Sequence, residues 1–463
     1  MMNNMAQHSK EWVIEAESEL RLEIDFNTKV RVRLLSGTGE IFGAELGTGV
    51  DYEFSGRKIA IFTWHGCKLL VQGTCSVEYL AEETPMVSYL NTHYALEQRR
   101  VKATRENGHG PRVMIVGPTD VGKTSLCRML LSWALRQDRQ PIYVDLDCSE
   151  GSITMPGCLT ATPLTEQIDI EEGFGSSATS APTAGSAIMP LAYYFGYPNP
   201  KENLKLYEML VSRLAKSVSR RLDEDEAARR SGIVIDTTGL IDHTAGYDII
   251  AHCIKSFRVD VIIVLGHERL YSDMVRLHGK PGGGAGQQQQ QQQQHQQGAA
   301  RPIAVMKLSK SGGVVERDAA FRRQTQNQKI REYFYGTTKS ELAPFSTMVH
   351  FHDVEILRVG EGSLAPTSAL PIGEDRKVSE THVVQVDASG DLLLHSVLAV
   401  SNANQTKLET DKDEREVLES SLAGFVYVSE VNEARKRMTV LAPCPGRIPK
   451  RIWWMGSLKW AED

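Results

Sequence analysis

The chain has 463 residues, of which 41% are hydrophobic and 24% charged, the balance of a globular protein with two to four domains. A net charge of -6 excludes a broadly basic surface, so any nucleic-acid contact must be local. Seven scattered cysteines with no C-x-x-C pair argue against a disulfide framework or zinc site and for a reducing compartment. The N-terminus MMNNMAQHSK lacks the apolar core of a signal peptide, and no later run is long enough to span a bilayer. A soluble cytosolic or nuclear protein is expected.

From Trp12 to about Val87 the chain reads as short strands. Leu20, Leu22 and Ile24 alternate with charged residues, as do Val30, Val32 and Leu34. Glycine-bearing turns separate further strands at Lys58–Trp64 and Lys68–Gln72, giving a small antiparallel β domain. A helical stretch around Tyr89 to Val101 and a polar linker, Thr104 to Pro111, follow.

Arg112 to Leu135 is the stretch around which the rest is organised. The apolar run Val113–Val116 enters Gly117-Pro-Thr-Asp-Val-Gly-Lys-Thr124, which satisfies G-x-x-x-x-G-K-[ST] at every fixed position. Leu126, Met129, Leu130 and Trp133 then recur with helical period on one face. Strand, glycine loop and helix in that order form a phosphate cradle. Backbone N–H groups and the helix N-terminus face the phosphates, Lys123 bridges the β- and γ-phosphates, and Thr124 ligates Mg²⁺.

Strand and helix continue to alternate, which predicts a parallel α/β sheet. Pro141–Asp147 is a second strand, Asn203–Leu222 a helix, Gly232–Asp236 a third strand and Val259–Leu265 a fourth. Ser176–Ala187 reads as a loop, and the glutamine tract within Gly282–Ala300 as a tolerated disordered insertion. Ile303–Leu308 is another strand, and Phe321-Arg-Arg323 begins a basic helix-like stretch. From about Glu332, Thr347–Val359, Val383–Val386, Leu422–Val428 and Met438–Leu441 read as strands of a mostly β region. His350 and His352 share a strand face, but with no third ligand nearby they fit surface or core histidines better than a metal pair.

A phosphate cradle needs an acid at a neighbouring strand end. Asp147 and Asp236 both qualify, and residue pattern alone does not separate them. Basic groups near Arg317, Arg322 and Arg323 could close over the γ-phosphate.

GPTDVGKT, together with FTWHGC at 62–67, LNTHYALE at 90–97, KSGGVVER at 310–317 and REYFYG at 331–336, resembles the eukaryotic RNA 5′-hydroxyl kinase family that includes a pre-mRNA cleavage-factor subunit. A weaker trail, ALPIG at 369–373 and AGFVYV at 423–428, extends to the C-terminus. The resemblance implies an α/β chain: a central P-loop parallel sheet flanked by an N-terminal antiparallel β domain and a small mostly-β C-terminal domain. The expected divisions are 1–100, 101–331 and 332–463. It implies ATP and Mg²⁺ as cofactors, with Glu19 and Lys58 contacting ATP from the N-terminal domain. Asp120, Val121, Gly122, Lys123, Thr124 and Ser125 hold its phosphates, Thr124 and Asp147 serve the metal, and Arg317 and Arg322 form a lid. It thereby favours Asp147 over Asp236 as the catalytic acid.

Two departures bear on activity. Active members resemble D-x-G-Q-G after the strand, whereas Asp147 is followed by Cys148-Ser149-Glu150-Gly151. They also carry an aromatic after T-x-G, where this chain has Leu240; losing a base-stacking plane costs about 1–3 kcal/mol. The favoured expectation is therefore an ATP-bound subunit of the nuclear pre-mRNA 3′-end cleavage and polyadenylation machinery, with a scaffold subunit of that complex as partner. The alternative is an active polyribonucleotide 5′-hydroxyl kinase that takes RNA. A third reading, an unrelated P-loop switch with IVIDTTG as its Walker B, is disfavoured by Glu19 and Lys58.

Overall fold

The period-two alternation at the start of the chain folds as two antiparallel sheets in the computed structural model, which describes residues 9–174, 190–242, 244–279, 303–337, 339–360, 381–386, 390–403, 411–449 and 452–461. The glutamine tract, the Ser176–Ala187 stretch and ALPIG lie outside the described residues. Two compact units result. The first comprises Met1–Tyr143, Leu164–Glu171 and Arg220–Glu316, and the second Val144–Pro163, Glu172–Ser219 and Arg317–Asp463.

In the first unit, β1 (Ser9–Ile14), β2 (Ser18–Ile24), β3 (Val30–Gly37), β4 (Glu40–Ile41), β5 (Ala44–Glu45), β6 (Asp51–Phe54), β7 (Arg57–Thr63), β8 (Cys67–Gln72) and β9 (Val77–Ala81) form the orders β1-β8-β3-β6 and β5-β4-β7-β2-β9. Their inward residues, among them Leu20, Leu22, Val30, Val32, Leu34 and Ile61, make one hydrophobic core. After α1 (Met86–Arg105) come β10 (Arg112–Val116), α2 (Lys123–Leu135) and β11 (Ile142–Asp145). Within the second unit lie β12 (Cys158–Pro163) and β13 (Leu191–Tyr194), an antiparallel pair. Helix α3 (Leu204–Glu224) leads back to the first unit, with α4 (Glu226–Ser231), β14 (Ile233–Asp236), α5 (Ala245–Phe257), β15 (Val261–Leu265), α6 (Glu268–His278) and β16 (Ala304–Leu308). There the strand order is β11-β14-β10-β15-β16, with β10 parallel to both β14 and β15, and β15 parallel to β16. β10, β14 and β15 are buried at every residue, as strands covered on both faces must be.

The second unit continues with α7 (Ala319–Tyr335), β17 (Phe345–His350), β18 (Glu355–Val359), β19 (Val383–Gln385), α8 (Gly390–Leu393), β20 (Ser396–Ser401), α9 (Asp411–Leu418), β21 (Leu422–Asn432), β22 (Arg437–Ala442) and β23 (Ile452–Lys459). Its sheet runs β17-β22-β21-β20-β23-β18-β19, around a core that includes Leu398, Val428, Val440 and Trp453.

Three local expectations are corrected. The α2 helix is buried all round, at Leu131 and Ala134 as well as on the expected face. The basic stretch near Arg323 belongs to a helix that runs to Tyr335, because Ile330, Tyr333 and Phe334 are buried and the Tyr333 hydroxyl accepts from Phe425 N at 3.0 Å. Thr347–Val359 is two strands, broken by a 3₁₀ turn at Phe351–Asp353. Among the described residues no helix is long and apolar enough to cross a membrane.

Candidate nucleotide-binding site

The P-loop folds as its spacing requires. Strand β10 delivers the chain to Gly117, and α2 begins at Lys123. Gly122 has φ 86°, a left-handed conformation that strains any side-chain-bearing residue. Lys123 is buried, and its Nζ donates to Pro118 O at 2.9 Å. The Thr124 hydroxyl donates to Asp236 Oδ2 at 2.5 Å, and Tyr143 OH reaches the same oxygen at 3.5 Å. Strand pairing explains the meeting: Ile115 of β10 lies opposite Asp236 of β14. Asp236 therefore ends its strand one residue before β10 gives way to the loop. A hydroxyl beside a carboxylate is a hard-oxygen donor pair of the kind Mg²⁺ takes. Of the other loop residues, Val121 is buried, while Asp120 and Ser125 are partly exposed.

In the N-terminal sandwich, Glu19 is buried and held by Arg21 Nε at 2.6 Å. Burial pushes its carboxyl above the usual glutamate range, against the pull of Arg21. Arg21 also donates to Tyr79 OH and Glu83 O, both at 3.3 Å, and a Cβ on Gly313 would stand 2.7 Å from its Nε. Lys58 pairs instead with Glu23 at 2.7 Å. Glu19 lies opposite Phe62, and Glu23 opposite Lys58. Glu19 and Lys58 thus share a sheet face but sit four registers apart, roughly 13 Å along the strand.

The second unit holds Asp147, Glu150, Arg317 and Arg322. Strand β11 stops at Asp145, so Asp147 lies in the loop beyond it rather than at the strand end. The cause is Asp145, whose carboxylate accepts from the backbone N–H of Asp147 (2.9 Å) and of Ser152 (3.0 Å) and turns the chain out of the strand. Asp147 Oδ1 accepts from Ser149 N at 3.0 Å and Ser149 Oγ at 2.6 Å. Arg317 and Arg322 both reach Glu150.

The comparisons with known proteins cover nearly the whole chain. Residues 13–103 match a family profile described as the N-terminal beta-sandwich domain of polyadenylation factor, 117–281 and 284–336 the mRNA cleavage and polyadenylation factor CLP1 P-loop, and 342–462 the Pre-mRNA cleavage complex II protein Clp1. The chain belongs to the Clp1 family. It is 41% identical to the mRNA cleavage and polyadenylation factor clp1 of Botryotinia fuckeliana, over 98% of this chain and 94% of that one. It is 40% identical to the Polyribonucleotide 5′-hydroxyl-kinase Clp1 of Danio rerio, over 97% and 93%. A solved Clp1p, in a structure titled as the wild-type Clp1p–Pcf11p complex, superposes with TM-score 0.83 at 28% identity, covering 98% of this chain and 99% of its own. A second Clp1p–Pcf11p structure, whose title cites ATP loss in a glycine-to-arginine mutant, gives 0.82 at 28%, with the same coverage.

The Clp1-family fold expected from sequence is the one observed: a P-loop parallel sheet, an N-terminal antiparallel β domain and a small mostly-β C-terminal domain. Membership in a P-loop family implies nucleotide binding. Sequence reasoning missed Arg21, although residues two apart in a strand face the same side, so the i, i+2 pair Glu19 and Arg21 was a usable signal. His350 and His352 stack with ring centroids 5.3 Å apart, and among the described residues no group of three or more His, Cys, Asp or Glu is placed to hold a metal.

Proposed function

We propose that this chain is an ATP-binding subunit of the nuclear pre-mRNA 3′-end cleavage and polyadenylation machinery, with ATP held at the P-loop as a structural ligand. The observation that carries the reading is similarity over almost the full length to proteins named for that machinery, on a chain whose P-loop is intact. The partner is a scaffold subunit, the place that Pcf11p takes beside the solved Clp1p. The domains are 1–100, 101–331 and 332–463. Asp120 to Ser125 hold the phosphates, and Glu19 and Lys58 contact ATP from the N-terminal domain. Thr124 ligates Mg²⁺ with Asp236 steadying its hydroxyl, and Asp147 is the second acid assigned to the metal. Bound Mg²⁺ supplies charge neutralisation at the β/γ oxygens.

A second reading is favoured by the relatives named as polyribonucleotide 5′-hydroxyl-kinases. In it the 5′-hydroxyl oxygen of RNA bonds to the γ-phosphorus as the β–γ bridging P–O bond breaks. ADP leaves, and the hydroxyl proton passes to Asp147. Lys123, Arg317 and Arg322 offset the charge.

The test is calorimetric titration of ATP into wild type and Lys123→Ala, followed by rescue of 3′-end cleavage in depleted nuclear extract. Removing a buried cation from its anion costs about 2–5 kcal/mol, so affinity should fall by at least about 30-fold and rescue with it. Unchanged affinity in the mutant would overturn the reading.

A further inference from the structure

We infer that Glu150 is an internal counter-ion that withholds Arg317 and Arg322 from phosphate, and that this residue sets how well the chain transfers phosphoryl groups. The inference rests on the nucleotide reading above. Its geometry lies wholly within the second unit. Arg317 meets Glu150 with two parallel bonds, Nη1 to Oε2 at 2.8 Å and Nη2 to Oε1. Arg322 Nη1 reaches the same Oε1 at 3.4 Å, and its Nε donates to Arg317 O at 3.2 Å. Two guanidinium groups therefore converge on one carboxylate. Such a fork is what arginines offer to phosphate, and here a carboxylate of the chain already sits in it.

The loop that delivers Glu150 is tied on both sides. Asp147 accepts from the backbone and hydroxyl of Ser149. The Ser149 carbonyl accepts from Gln326 Nε2 at 2.7 Å. Gln326 stands one helical turn after Arg322 on α7, so one helix face carries both an arginine of the fork and the clamp on the loop. Asp318, next to Arg317, caps α7 by accepting from Phe321 N at 2.7 Å, which fixes where that helix begins.

Stability is a poor reason for the arrangement. The three side chains are 25 to 29% exposed, and ion pairs that wet contribute only about 0–1 kcal/mol. The electrostatic effect is the larger one, because the Glu150 carboxylate offsets part of the positive charge that the two guanidinium groups carry. The oxygens of Glu150 face the two arginines.

A carboxylate can also hold arginines ready for use, and the two roles predict opposite signs. Single-turnover transfer from labelled ATP to a 5′-hydroxyl oligoribonucleotide, with ATP affinity by titration, should be measured on wild type, Glu150→Gln and Glu150→Ser. Both variants should transfer at least tenfold faster than wild type, with ATP affinity equal or tighter, and adding Arg317→Ala should erase the gain. The smaller serine keeps the test alive if the glutamine variant folds poorly. ATP affinity retained with transfer no faster in either variant overturns the inference and leaves the nucleotide reading standing. Absence of ATP binding in wild type overturns both.

Discussion

The hydroxyl of Thr124 and the carboxylate of Asp236, 112 positions apart in sequence, meet at 2.5 Å at the N-terminus of α2. Asp236 is 1% exposed, and a buried carboxylate is retained only when it is hydrogen-bonded or serves a cation. If the Thr124 hydroxyl ligates Mg²⁺ as proposed, Asp236 should tune the metal more than the base. Asp236→Asn is expected to weaken ATP affinity about 10- to 100-fold when Mg²⁺ is present. With Mg²⁺ chelated, the mutant and wild type should bind ATP almost alike. Equal losses in both conditions would assign Asp236 to the fold instead.

The buried pair Glu19–Arg21 yields a prediction with two readouts. Arg21→Met leaves the buried carboxylate of Glu19 without its cation, which costs about 3–5 kcal/mol. At about 2–4 °C per kcal/mol for a unit of this size, the melting temperature should fall by roughly 6–20 °C. Adding Glu19→Leu should restore most of that loss, since an apolar pair of similar volume can replace a buried ion pair. If Glu19 reads the nucleobase, the restored double variant should also lose its preference for ATP over GTP. Retained preference would remove Glu19 from the base site.

These pairings show what was readable in the sequence. Gly117 to Thr124 could be assigned because every residue that makes the cradle is local, and a local motif carries its own geometry. The placement of Asp147 and Asp236 could not be read from spacing, since it depends on parallel pairing between β10 and β14 and on Asp145 turning the chain away before Asp147. Both are non-local or competitive effects that leave no mark on spacing. Glu150 was noticed as a departure, but its partners lie 167 and 172 positions away. Only folding shows that it answers the arginines.

His93 makes the stability of the first unit sensitive to acid. It is 1% exposed on α1, with its ring centroid 5.7 Å from that of Trp133. Burial, helped by Arg100 and opposed by Glu97 and Gln137, pushes its pKa down to about 4. A histidine with a depressed folded pKa binds its proton more readily when unfolded. Stability is therefore intact above about pH 6.5 and is lost as pH falls from there toward 4. The loss should reach about 2 kcal/mol at pH 5. His93→Phe keeps a ring against Trp133 and should flatten thermal denaturation midpoints between pH 7 and 5. An unchanged slope would place the acid sensitivity elsewhere.

The last prediction concerns the loop after β14. Gly239 packs directly on the P-loop: a Cβ there would stand 2.1 Å from Thr119 Oγ1 and 2.6 Å from Thr119 N. No side chain fits unless the backbone at Thr119 moves, and that backbone belongs to the cradle. Gly239→Ala should therefore weaken ATP binding at least tenfold, although residue 239 itself has nothing with which to grip the nucleotide. Leu240 follows at once and is only partly buried. An aromatic there can stack a base for about 1–3 kcal/mol. Leu240→Trp should accordingly tighten binding of a 5′-hydroxyl oligoribonucleotide about 5- to 150-fold, with ATP affinity unchanged. Fluorescence anisotropy of a 3′-labelled RNA, read with and without ATP, decides it. A tighter ATP complex with no change in RNA affinity would mean that residue 240 serves the cradle and not the acceptor.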